Sequence, residues 1–161
     1  MKLLWTGNSP SHCGGQNRVS YFSIKELTKL GYEVHCAGKG IQVLDQGEES
    51  PCPCYVFNEF EPDKYYALID QLKPDIILLS HDVWLWYFLP ELKLKFPNLS
   101  VVGWFTIDAH PIHFSWFQIL RATDYLCVST DFGKQTVYER FPEKGTEVIK
   151  YGVDHSLYNL S

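Results

Sequence analysis

The chain has 161 residues, a length that fits one domain and can bury a core without staples. Its formal net charge of −5 argues against general nucleic-acid binding, which needs a basic surface. The five cysteines include Cys52 and Cys54, whose spacing matches neither a zinc knuckle nor a thioredoxin motif. We find no bilayer-spanning apolar stretch and no signal peptide, and therefore expect reduced thiols and a cytoplasmic protein.

Predicted strands and helices alternate along the chain. The first helix follows a loop rich in Asn, Ser, Pro and Gly and ends at Gly31, as a C′ glycine would end it. Pro62 begins another helix, and Pro90 ends or kinks the one after it. The predicted strands cover residues 2–6, 32–37, 55–57, 75–80, 100–106, 125–129 and 147–151. The predicted helices cover residues 16–30, 62–72, 83–96, 114–122 and 132–141.

The strands are continuous apolar runs, which is typical of a parallel sheet covered on both faces. We therefore predict an α/β fold with one Rossmann-like, doubly wound parallel sheet in a single domain, 1–161. Ligands of such sheets bind beyond the carboxyl ends of the strands. The candidate site then lies in the loops 8–15, 80–82, 106–113, 129–131 and 152–154.

Gly14 and Gly15 lie where the first strand leads into the first helix. They would let a ligand phosphate approach the backbone N–H groups of the helix start, or they are a tight turn that needs positive φ. Arg18, just inside the helix, either reaches a phosphate or is a surface residue. The dinucleotide fingerprint GxGxxG and the P-loop motif are both absent, which argues against a dehydrogenase and a P-loop NTPase.

Two further loops carry polar side chains that could do chemistry. His81 and Asp82 follow the clearest buried strand and either line a pocket or cap the next helix. Asp108 could orient an acceptor hydroxyl or stabilise an oxocarbenium-like transition state, or it caps a turn. His110 and His113 could bind a metal, but no third ligand is evident, so we expect none.

The apolar stretch 83–89 is followed by Lys93 and Lys95. It could touch a membrane surface or carry a lipid-linked acceptor. A buried helix of an α/β domain is the more common explanation, and we favour it.

Five motifs in this order resemble the N-terminal domain of family-4 (GT4) glycosyltransferases of the GT-B fold. Each is weak alone, but together they cover nearly the whole chain. The matching segments are GGQNR at 14–18 with LTKLGYEV at 27–34, KPDII at 73–77 leading to His81, WFTID at 104–108, VSTDFGK at 128–134, and VIKYGVDHSLY at 148–158.

The resemblance implies a retaining enzyme that takes a sugar from a nucleotide-sugar donor, needs no metal or other cofactor, and works in a cleft between two domains. This half would hold a carbohydrate or lipid-linked acceptor, and a C-terminal domain in cis or in trans would hold the donor. Without that domain we expect no sugar transfer. Asp108 occupies a position where the family often has a histidine.

The implied roles can be assigned residue by residue. The expected catalytic residues are Asp108 and His110. The expected donor-phosphate residues are Gly14, Gly15 and Arg18. The expected acceptor-binding residues are His81, Asp82 and Ser129. The alternative function is a stand-alone binding module that recognises an acceptor, a nucleotide or another protein. A flavodoxin-like receiver is disfavoured because its acidic cluster and lysine at strand ends are missing.

Overall fold

The computed structural model of the protein describes residues 1–10, 14–39, 50–57 and 60–152. Its strands are β1 Lys2–Asn8, β2 Glu33–Lys39, β3 Cys54–Phe57, β4 Ile76–His81, β5 Ser100–Phe105, β6 Tyr125–Val128 and β7 Thr146–Val148. Its α-helices are α1 Gly15–Lys29, α2 Pro62–Leu72, α3 Leu89–Lys95, α4 Phe117–Ala122 and α5 Asp131–Arg140, and two 3-10 turns cover Val83–Trp86 and Phe114–Trp116.

The seven strands form one parallel sheet in the order β3-β2-β1-β4-β5-β6-β7. The order reverses between β1 and β4, which pair from Leu3 with Ile76 to Thr6 with Leu79. This is the arrangement of a Rossmann-like sheet, whose ligands sit in the crevice at the reversal point. The predicted α/β fold is confirmed.

Buried side chains form two clusters because successive residues of a strand point to opposite faces. Leu3 and Trp5 of β1 belong to the smaller cluster, where they pack with Ile24 of α1. Leu4 belongs to the larger cluster, which takes in residues of the remaining helices. Each fully buried aliphatic side chain stabilises the fold by about 1.5–3 kcal/mol.

The predicted helix 83–96 is wrong as one element. The chain makes the 3-10 turn Val83–Trp86 and then begins α3 at Leu89, with Pro90 in the first turn. Proline cannot donate a backbone hydrogen bond, so it fits the start of a helix and not its interior. Pro90 therefore lies in the first turn of a helix, where the sequence pattern predicted that it would end or kink one.

The predicted strand 147–151 is also wrong in its extent, since β7 ends at Val148. Ile149 still donates its N–H to the carbonyl of Val128, at 2.9 Å, but its own carbonyl accepts from the indole Nε1 of Trp104, also at 2.9 Å. The chain thus leaves the sheet at Ile149 and crosses towards β5. This exit decides where Tyr151 lies.

Candidate functional site

The carboxyl ends of β1, β2 and β4 pack so closely that two positions accept only glycine. A Cβ atom on Gly7 would lie 2.6 Å from the carbonyl oxygen of Ser80, and Gly7 has φ +155°. A Cβ atom on Gly38 would overlap the carbonyl oxygen of Gly7. His81, the last residue of β4 and the neighbour of Ser80, has a φ of 130°, which is uncommon for a residue with a side chain. Such strain costs about 1–3 kcal/mol and persists where the surrounding structure enforces it, often at functional sites.

The N-terminus of α1 lies next to this edge of the sheet. Gly14 is its N-cap, with an extended φ of 173°, and its first turn carries no acidic side chain. The structure thus excludes a turn that needs positive φ at Gly14. A Cβ on Gly15 would meet nothing within 4 Å among the described residues. The side chain of Asn17, which sequence reasoning missed, anchors the helix by donating to the Ser9 carbonyl at 2.5 Å.

Arg18 is exposed on α1, and its guanidinium carbon lies 5.9 Å from the centre of the Phe22 ring. Within the described part of the chain, no carboxylate pairs with it. The side chain is therefore available to an anion near the helix start, which is the role predicted for it.

Tyr151 links the start of α1 to the end of β5, a contact that no sequence pattern predicted. Its hydroxyl lies 2.9 Å from the hydroxyl of Thr106 and accepts, at 3.5 Å, from the side-chain amide of Gln16. Its ring packs against Trp104, with centroids 5.1 Å apart. Lys150 adds an ion pair with Asp131, 2.8 Å between Nζ and Oδ2, and lowers the pKa of that carboxyl.

Asp108 comes two residues after Thr106 in the loop beyond β5. It is exposed, and no described residue hydrogen-bonds to its carboxylate. The prediction that it caps the following turn is wrong, because His113 is the N-cap of that turn and accepts from the N–H of Ser115. Asp108 is therefore an exposed carboxylate with no partner among the described residues, and it lies close in sequence to the contact between Thr106 and Tyr151.

His81 and Asp82 do not form a helix cap. Asp82 precedes the turn Val83–Trp86, but its side chain makes no capping hydrogen bond. Its backbone N–H donates instead to Nδ1 of His81 at 2.8 Å. The same Nδ1 lies 3.3 Å from Oδ2 of Asp82. When Nδ1 accepts the backbone hydrogen bond, the neutral ring carries its proton on Nε2, where it can donate to a ligand. Ser129 is buried, and its N–H donates to the carbonyl of Phe105 at 3.3 Å.

His110 lies at a second feature beyond β5, a cavity of about 300 Å³ between this loop, α4 and α5. The cavity is lined by His110, Pro111, Ile112, Phe117, Thr136, Glu139 and Arg140. Nε2 of His110 lies 2.7 Å from Oε2 of Glu139, whereas His113 bonds to Ser115. Among the described residues, no group of three or more His, Cys, Asp or Glu side chains is arranged so that it could hold a metal ion.

Replacing His110 by alanine should raise the pKa of Glu139 towards its ordinary value. The hydrogen bond from His110 is the main cause that lowers this pKa, followed by one from Gln135. A carboxyl-detected NMR titration would measure the change. His113→Ala is the matched control and should leave the pKa of Glu139 unchanged, because His113 hydrogen-bonds to Ser115 and not to Glu139. An unchanged pKa in His110→Ala would show that the pair does not form in solution.

The apolar stretch 83–89 is partly buried and partly exposed. Val83, Trp86, Phe88 and Leu89 are buried, whereas Trp84 is 56% and Tyr87 is 62% exposed. The favoured explanation, a buried helix, holds only in part: four of these side chains are buried, but the segment begins as a 3-10 turn and leaves the rings of Trp84 and Tyr87 exposed. No helix in the described ranges is both long and apolar enough to cross a membrane.

Comparison with solved structures supports the fold. An alpha-glucosyltransferase in complex with UDP-glucose and DNA matches with a TM-score of 0.64 and 16% identity, over 96% of this chain and 43% of its own. UDP-GlcNAc 2-epimerase from Neisseria meningitidis, bound to UDP-GlcNAc, matches with a TM-score of 0.59 and 12% identity. The match covers 92% of this chain and 46% of the epimerase chain. UDP-GlcNAc 2-epimerase from Methanocaldococcus jannaschii matches with a TM-score of 0.56 and 14% identity, over 92% of this chain and 45% of the epimerase chain. No family model and no curated protein matches the sequence.

These similarities define the class of the domain: a Rossmann-like α/β domain of the kind found in GT-B-like proteins. The chain spans less than half the length of each of these structures. At identities below 20% they show the fold and not the activity. The GT4 assignment and the absence of a nucleic-acid partner both stay predictions.

Proposed function

We propose that this chain is the acceptor-side half of a retaining, GT4-like glycosyltransferase. It works with a second GT-B domain, supplied in cis or in trans, and transfers a sugar from a nucleotide-sugar donor to an acceptor hydroxyl. By itself it is inactive, because a cleft with one wall cannot close around its ligands. The proposal needs no metal or other cofactor.

One observation carries the proposal. The contacts of Tyr151 hold the start of α1 beside the end of β5, next to the strained His81 at the reversal point of the sheet. The start of α1, the exposed carboxylate of Asp108 and the side chain of His81 all follow strands at the carboxyl-end edge of the sheet, which supports the proposed site. A nucleotide sugar offers phosphates and a sugar ring with a developing positive charge, which these groups complement.

The residues divide the work by their chemistry. The N–H groups at Gly14 and Gly15, with Arg18, hold the donor phosphates. Asp108 stabilises positive charge at the reacting sugar carbon. His81 donates from Nε2 to an acceptor or sugar hydroxyl, and Asp82 and Ser129 complete the acceptor side. His110, two residues after Asp108 in the same loop, is the second catalytic candidate, and its ring is hydrogen-bonded to Glu139.

The proposed acceptor is a carbohydrate or a lipid-linked sugar. The net charge of −5 disfavours a nucleic-acid acceptor, because proteins that bind nucleic acid generally do so through a positively charged surface. The proposed location is the cytoplasm, with peripheral membrane contact through Trp84, Tyr87 and the exposed Leu94, next to Lys95. Co-sedimentation of the chain with anionic vesicles that is lost in Trp84→Glu would support this contact. Equal sedimentation of Trp84→Glu and the unaltered chain would refute it.

The direct test is a titration of the 15N-labelled chain with UDP-, GDP- and ADP-sugars, followed by NMR. We expect amide shifts at Gly14–Arg18 and around Asp108, with the best donor giving shifts at the lowest concentration. Free glucose is the control, since it lacks the phosphates that α1 would hold. Shifts confined to other regions would refute the proposed site.

Gly15→Trp should weaken nucleotide-sugar binding by at least about tenfold, or roughly 1.4 kcal/mol, while the fold persists. The added ring would occupy the open space in front of the helix start, where a Cβ on Gly15 has no neighbour among the described residues. Gly145→Trp is the matched control, because Gly145 is equally open but lies between α5 and β7. Equal affinity in the two variants would remove the α1 loop from the donor site.

The second candidate is a stand-alone binding module, and the exposed carboxylate of Asp108 is compatible with that function as well. No shifts with any donor at millimolar concentration would favour the module. Sugar transfer by the chain together with its second domain would exclude it.

A further inference from the structure

Three cysteine thiols meet where β2 pairs with β3. Cys36 of β2 is the register partner of Cys54, the first residue of β3, and Cys52 lies two residues earlier. The N–H of Cys36 donates to the carbonyl of Pro53 at 2.9 Å, which fixes the 52–54 segment against β2. Cys36 is 1% exposed, whereas Cys52 and Cys54 are partly exposed.

Hydrogen bonds converge on the sulfur of Cys54. The hydroxyl of Ser50 lies 3.0 Å from this sulfur, and the Cys54 thiol itself donates to the carbonyl of Cys52 at 3.4 Å. The side chains of Cys36 and Cys52 also interact with the Cys54 thiol. The Ser50 hydroxyl also donates to the carbonyl of Cys52 at 2.7 Å, and its proton can turn to the sulfur when Cys54 is ionised. The bonds from Cys36 and Cys52 lower the pKa of Cys54, while the pKa values of Cys36 and Cys52 are raised.

We propose that Cys54 and Cys52 form an oxidisable dithiol site that exchanges with low-molecular-weight disulfides such as oxidised glutathione. The Cys54 thiolate attacks one sulfur of the disulfide, forms a mixed disulfide and releases one thiolate, which takes a proton. Cys52 loses its proton to solvent, attacks the Cys54 sulfur and releases the second thiolate, which is protonated in turn. Two cysteine thiols are oxidised, and one small disulfide is reduced to two thiols.

Cys52 is the resolving residue rather than Cys36 for geometric reasons. In-register side chains on adjacent strands are held about 4.8 Å apart, wider than the Cβ separation of about 3.8 Å in a disulfide. Cys36 is also fully buried inside β2. Cys52 precedes β3 and is less constrained. Cys36 is a positioning residue, whose thiol hydrogen-bonds to the Cys54 thiolate. No metal site competes with this role within the described ranges.

Tryptic mapping tests the pairing, because the cysteines fall in separable peptides. Cys52 and Cys54 share peptide 40–64, while Cys36 lies in 30–39, Cys127 in 122–134 and Cys13 in 3–18. After equilibration with oxidised glutathione and alkylation, peptide 40–64 should lack two hydrogen atoms and carry no alkyl group. The peptides 30–39 and 122–134 should be fully alkylated. A cross-link between 30–39 and 40–64 would overturn the pairing.

Variants separate the two steps. Cys52→Ser should trap glutathione on Cys54, and Cys54→Ser should abolish both products. Cys127→Ser is the control, since Cys127 is a free thiol with a raised pKa. In the unaltered chain, iodoacetamide should modify Cys54 at least about tenfold faster than Cys127 at neutral pH, and Cys36→Ala should slow this reaction. Equal rates at Cys54 and Cys127, or no trapped adduct in folded Cys52→Ser, would refute the site.

Discussion

Gly7→Ala is expected to destabilise the domain by about 2–5 kcal/mol. Two costs act together, since the new Cβ would lie 2.6 Å from the Ser80 carbonyl oxygen and alanine would have to adopt φ +155°. Overpacking and backbone strain each cost about 1–3 kcal/mol. The clash involves backbone atoms of two central strands, which cannot rotate aside as a side chain could.

Urea unfolding measures this loss as a lower midpoint with an unchanged slope. Gly145→Ala is the matched control, because its Cβ would meet nothing within 4 Å and no positive φ is required there. It should change stability by less than about 0.5 kcal/mol. If Gly7→Ala were equally neutral, β1 and β4 would be less tightly packed at the reversal point than the structure shows.

The sequence predicts the elements of this fold because their signals are local. Apolar runs marked all seven strands, and the predicted helix 62–72 matches α2 at both ends. The rule that ligands bind at the carboxyl ends of parallel strands then selected candidate loops without any knowledge of strand order, and these loops stay a prediction. The predicted boundaries were wrong where one residue type fits two structures. Pro90 is an example, since a proline can end or kink a helix and can also lie in the first turn of one.

The contacts that assemble the site could not be predicted because they join distant parts of the chain. Tyr151 reaches Thr106 and Gln16, which are 45 and 135 residues away. No periodicity encodes such a pairing, and the sequence pattern instead placed Tyr151 in the last strand. The same holds for the thiol cluster, because Cys36 meets Cys54 only through the register of β2 and β3.

Side-chain partners also changed the interpretation of individual residues. His110 and Asp108 looked like one cluster in sequence, but His110 is bonded to Glu139 of α5. The sequence left His81 open between a ligand-binding residue and plain polar lining, and its φ of 130° is a property that only the three-dimensional structure reveals. The backbone strain makes His81 a stronger candidate than its sequence context did, since strain of this kind must be enforced by its neighbours.

Asp108→Ala should reduce sugar transfer by about 100-fold or more in the enzyme that includes the proposed second domain. A carboxylate that stabilises developing positive charge acts mainly in the transition state, so turnover should fall while the KM for the donor changes only a few-fold. Stability should stay within about 0.5 kcal/mol, because no described residue hydrogen-bonds to this carboxylate.

Steady-state kinetics with the best donor from the NMR titration would measure the change. Asp108→Asn separates charge from shape: it should be nearly as slow as alanine if the negative charge matters, and nearly normal if Asp108 only accepts a hydrogen bond. Asp70→Ala is the control, since Asp70 is an exposed carboxylate on α2 that pairs with Lys73. Normal turnover in Asp108→Ala would remove this residue from the mechanism. His110, held by Glu139 beside the same loop, would then become the leading candidate.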